Sequence, residues 1–139
     1  MYGRFDNGGS NWSGPLRPAN DVDARLLWAL RRLALMQPIG AARCPAVHIA
    51  LQRDFGDAGL GIEHLLRCLL VGLDRRADRP LRFGTPVCAA PLPDEALLLR
   101  ILAAPEPQAA VLLTRLAGPC AASLLPLVRA VRSLTQNIS

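Results

Sequence analysis

CPAVHIALQRDFGDAGLGIEHLLRCLLVGLDRR, residues 44–76, decides the fold. Pro45 suits the first turn of a helix, where a missing N–H costs nothing, and it leaves Cys44 in the cap position. That helix is expected to end at Phe55–Gly56. A second begins near Ala58 and runs to about Arg76. Gly59 and Gly61 weaken its start, but Leu65, Leu66, Leu69, Leu70 and Leu73 recur at helical spacing. The linking Gly56-Asp57 is short enough to fold the two back as an antiparallel pair. Residues whose numbers sum to about 112 then lie opposite one another.

The same periodicity extends in both directions. Upstream, Asn20 is a good helix cap and Asp21 and Asp23 fall in the first turn, where the helix dipole favours acids. A helix from there to about Gln37, stopped by Pro38, carries Val22, Leu26, Ala29, Leu30 and Leu33 on one stripe. Downstream, Asp78 to Pro93 loses the period and is rich in proline. This segment reads either as a short β-hairpin, Leu81–Phe83 against Val87–Ala89, or as an irregular arm. Helices resume with Asp94 as cap of Glu95 to Ala104, then Pro107 to Ala117, then Pro119 to about Gln136 with a kink at Pro126. The expected fold is an all-α, single-domain bundle of five or six helices with a Pro-rich irregular middle loop.

Composition bounds the rest. A chain of 139 residues with 51% apolar and 19% charged side chains suits one domain and is too apolar for wholesale disorder. Residues 1–19 are polar and rich in Gly and Pro and read as a flexible tail, leaving 20–139 as the helical domain. The tail lacks the apolar stretch of a signal peptide. Uncharged apolar runs such as Leu116 to Val128 contain proline and fall short of the about 20 residues that cross a bilayer. A cytoplasmic location follows, with the four Cys as reduced thiols. All 16 basic residues are Arg, and the net charge is +5. They are scattered among acids, and no helix face gathers Arg and polar groups as nucleic-acid recognition requires. Asp74 and Asp78 interrupt even the densest group, Arg75 to Arg82.

Two constellations carry possible chemistry. Cys44 and His48 are four apart, as are His64 and Cys68, so each pair shares one helix face. If the pair of helices folds near residue 56, Cys44 faces Cys68 and His48 faces His64. Two thiols and two imidazoles are the ligand set of a closed tetrahedral zinc site. The competing reading is that these residues continue apolar stripes and pack as ordinary core. The second constellation is on the first helix. Trp28, Arg31, Arg32 and Leu35 lie away from its main stripe, and Trp and Arg among aliphatic neighbours are what interface hot spots favour. His64 beside Cys68 lacks an oxyanion loop and a third group to orient the ring, and no phosphate-binding or nucleophile-elbow motif is present. The sequence therefore predicts no enzyme and no obligatory cofactor. It predicts a small regulatory or accessory module that binds another protein or a second copy of itself, with a zinc-binding domain as the alternative.

Overall fold

The computed structural model describes residues 21–36, 38–39, 42–88 and 90–136, so the tail and its junction at Asn20 lie outside the described residues. Among those described the chain is helical and has no strand. The order is α1 (Asp21–Ala34), α2 (Pro45–Phe55), a 3-10 turn (Gly56–Ala58), α3 (Gly59–Arg76), α4 (Pro93–Ala103), α5 (Glu106–Ala117), a second 3-10 segment (Pro119–Leu124) and α6 (Leu125–Gln136). No helix among the described residues is long and apolar enough to cross a membrane.

Local chemistry explains most boundaries. Pro45 opens α2 with Cys44 at the cap, and Gly56, at φ +63°, ends it in a conformation that L side chains rarely adopt. The chain then turns α3 back against α2. Gly59 is what lets them meet: a Cβ there would lie 2.6 Å from the backbone N of Gln52 and from the carbonyl carbon of Leu51. Gly59 against Gln52 puts the crossing within one residue of the expected register. Pro126 sits near the start of α6 and does not kink a long helix. With no N–H to donate, it belongs in the first turn, and the residues before it wind as 3-10.

Helix α3 is the central rod. It packs on α2, α6 and the second 3-10 segment, while α1 lies against α2, α3 and α4, and α5 against α4 and α6. The core joins Leu27 and Leu30 of α1, Val47 and Leu51 of α2, and Ile62 and Leu66 of α3 to apolar faces of the later helices. Each fully buried Leu or Ile stabilises by about 1.5–3 kcal/mol. Among the described residues of segment 81–89 no hairpin forms: the Cys88 N–H donates to the Thr85 carbonyl at 3.0 Å, closing a turn. The segment is an irregular arm, because Pro80, Pro86, Pro91 and Pro93 leave too few donors for a ladder.

The arm is fastened at both ends. Asp78 N–H donates to the Ala117 carbonyl at 3.0 Å. Asp94, expected as a cap, lies instead inside the first turn of α4. Its carboxylate receives Arg79 Nη2 at 2.7 Å, Arg79 Nη1 at 3.1 Å and the Arg82 N–H at 2.8 Å. The cap position belongs to Leu92, whose N–H donates to Glu95 at 2.8 Å.

Candidate functional site

Residues 28, 32 and 35 recur at spacings of four and three, so α1 presents them along one strip. Leu35 is 58% exposed just beyond the helix end. Trp28 is half-buried, its inner edge packed on the core, and the Arg32 guanidinium lies 5.4 Å from the ring centroid. That is a cation–π distance. The Arg32 Nε is buried with no hydrogen-bond partner, so the ring and the aliphatic stem hold this cation in place.

Arg31 is not part of that strip. Three residues past Trp28 it has turned by about 300°, or about 60° the other way, which carries it under the arm. It is 0% exposed. Its Nε donates to Glu95 Oε2 at 2.9 Å and Nη2 to Glu95 Oε1 at 2.8 Å, a two-pronged pair. The same guanidinium donates to the carbonyls of Cys88 (2.8 Å) and Ala90 (3.0 Å). Glu95 in turn accepts the N–H groups of Gly84 (2.7 Å) and Leu92 (2.8 Å). A buried ion pair is tolerated only when its remaining donors and acceptors are occupied, and here the arm's backbone occupies them. The expectation of Arg31 as a contact residue is therefore corrected: it is an internal clamp that fixes the arm to α1 and α4.

Titration of this clamp has a definite sign. Burial pushes the Glu95 carboxyl up, but hydrogen bonds from Arg31, Leu92 and Gly84, with the Arg31 charge, outweigh it and leave the group below its ordinary value. Asp94 is also held down, first by the Arg79 hydrogen bond and then, against the cost of burial, by the Arg82 N–H and both Arg charges. Carboxylates depressed on folding contribute stability that is present above their unfolded pKa and lost as pH falls through the folded one. Stability is thus expected to be flat near neutrality and to drop below about pH 4, the usual carboxylate range. Melting curves of Glu95→Gln against pH should show a shallower drop; an unchanged slope would refute this assignment.

The four proposed zinc ligands do not converge. Cys44 is buried in the core at the start of α2, and His48 is half-buried with Arg43 Nη2 at 3.4 Å from its Nδ1. His64 is exposed and Cys68 half-buried on α3, with Cys68 Sγ at 3.7 Å from His64 Nε2. Among the described residues no three His, Cys, Asp or Glu side chains form a group that could hold one ion. The reason is rotational. The inward face of α3 runs through Ile62, Leu66, Leu69 and Leu73, because the helix is packed on several sides. Glu63, about 100° round from His64, takes the buried place beside α2. There it accepts Arg67 Nε at 3.1 Å and has Arg43 Nε at 3.9 Å.

Sequence reading missed the two buried acids. Glu95 looks like an ordinary first-turn acid, and Glu63 like surface charge beside a histidine. Arg31 lies four residues after Leu27, which is itself fully buried, but the apolar stripe read from the sequence does not include Leu27.

Compared with known proteins, the chain matches no family model, no curated protein and no solved structure.

Proposed function

We propose that this chain is a small protein-binding module, regulatory or accessory in kind, whose contact strip is Trp28, Arg32 and Leu35 of α1. The observation that carries the reading is an apolar side chain more than half exposed, next along the strip from a tryptophan capped by a cation. Binding a protein surface there would cover Leu35 and the open face of Trp28. It would keep the Arg32 charge at the edge, where it can reach water or an acidic group. Trp and Arg set among aliphatic carbon are the residue types that dominate binding energy at interfaces. All four cysteines are free thiols, which fits a module working in the reducing cytoplasm.

The test compares the full chain with Leu35→Glu and Trp28→Ala. Leu35 faces out, so its charge variant is expected to melt as the parent does. Retention of protein partners, or self-association in the presence of chelator, is expected to fall at least about tenfold in both, as for moderate hot spots. If solution mass, solubility and co-purifying proteins are the same in parent and both variants, the strip is not the contact surface.

A further inference from the structure

We infer that His64 and Cys68 are one half of a four-ligand site for a zinc-class divalent cation, completed by the same two residues of a second copy of this chain. The first support is the donor geometry. His64 Nε2 and Cys68 Sγ lie 3.7 Å apart. A tetrahedral zinc ion with bonds of about 2.0–2.1 Å to nitrogen and about 2.3 Å to sulfur spans an edge of about 3.6 Å between them. The pair is already spaced as two corners of such a site.

The second observation is the donor count: among the described residues one chain brings two donors together here. Among the described residues no third His, Cys, Asp or Glu joins a group able to hold an ion, whereas structural zinc takes four ligands. Two copies supply two thiolates and two imidazoles, which neutralise a divalent charge. Each thiol proton is released to solvent on ligation.

The third support is the surface around the pair. The face of α3 opposite its buried side carries Leu60, His64, Cys68, Val71 and Arg75 at helical spacing, with Asp57 continuing the line just before the helix. Leu60 is 50% exposed and Asp57 and Arg75 are exposed. A two-fold axis beside residue 66, with the two α3 helices antiparallel, brings together residues whose numbers sum to about 132. His64 then meets Cys68 of the other copy, Leu60 lies beside Val71, and Asp57 meets Arg75. Self-complementary contacts of this kind define a two-fold interface, and Asp57 and Arg75 meet as opposites. This surface is separate from the α1 strip and does not depend on it.

The experiment uses the purified full chain, kept reduced and freed of metal, titrated with Zn²⁺ and separately with Co²⁺. The expected result is a doubling of the 14.9 kDa solution mass with one ion bound per two chains, a thiolate-to-cobalt absorption band, and reversal by chelator. His64→Ala and Cys68→Ser should each abolish the doubling and the band. Indirect ligand-supporting changes already cost about 10–100-fold in metal affinity, so losing a ligand should raise the zinc midpoint at least about 100-fold. Cys120→Ser, at an exposed thiol, should behave as the parent. Asp57→Arg should weaken the dimer, and adding Arg75→Asp should restore it. The inference is overturned by one ion bound per monomeric chain, by a dimer of the Leu35→Glu chain that survives chelator or Cys68→Ser, or by failure to retain metal after desalting. Leu35→Glu should leave the metal-dependent doubling intact, which separates this test from that of the α1 strip.

Discussion

Glu95→Ala is expected to cost about 3–5 kcal/mol of folding stability, the range for removing one partner of a buried ion pair. The variant leaves the Arg31 guanidinium, 0% exposed, without its two-pronged partner. It also leaves the Gly84 and Leu92 N–H groups without their acceptor. Chemical denaturation of the parent and variant measures the loss directly. The double change Arg31→Met with Glu95→Leu should recover part of it, because the uncompensated charge is gone. Recovery should be incomplete, since the Cys88 and Ala90 carbonyls lose their donor, and an unsatisfied buried polar group costs about 1–3 kcal/mol. Amide exchange should rise at Gly84 and Leu92 before it rises in α3. A Glu95→Ala protein within about 1 kcal/mol of the parent would show that the clamp does not hold the arm.

Gly59→Ala is the second large effect, and its direction runs against helix propensity. Alanine is favoured over glycine inside a helix by about 1 kcal/mol. Here the added carbon would lie 2.6 Å from backbone atoms of Leu51 and Gln52, which cannot rotate away. Helices α2 and α3 must separate, and everything packed between them loosens. Overpacking costs typically 1–3 kcal/mol; with backbone as the obstacle the loss should reach about 3 kcal/mol. Gly56→Ala gives the contrast. Its added carbon meets nothing within 4 Å, so only the backbone is strained: φ +63° with ψ −136° lies outside the left-handed helical well, at a cost of about 1–3 kcal/mol. Thermal melts of the two variants should therefore rank Gly59→Ala as the more damaging, and the reverse order would remove the close approach as the reason for this glycine.

The features legible in the sequence were those written in local chemistry. Pro45 and Gly56 bound α2 because one residue at each end restricts the backbone, and the leucine stripe of α3 marks a helix without reference to neighbours. Pro126 was misread because its ring permits either a kink or a helix start, and only the preceding 3-10 winding distinguishes them. The Arg31–Glu95 pair was invisible for a different reason. It joins residues 64 apart, and a long-range match between single charged side chains leaves no periodic trace. The structure places His64 and Cys68 one step of rotation from the face of α3 that is buried. A stripe drawn through His64 and Cys68 differs by only about 100° from one drawn through Glu63, and packing on α2 and α6 selects the latter.

The separation between Arg31 and Glu95 also orders events during synthesis. A ribosome adding about 5–20 residues per second makes α1 on the order of 3–13 s before it makes the carboxylate that neutralises it. Through that interval Glu95 is not yet there to take the two-pronged pair with the guanidinium. The arm's own bonds to the clamp need Arg31 and Glu95 together, so its docked position is reached only after α4 has been made.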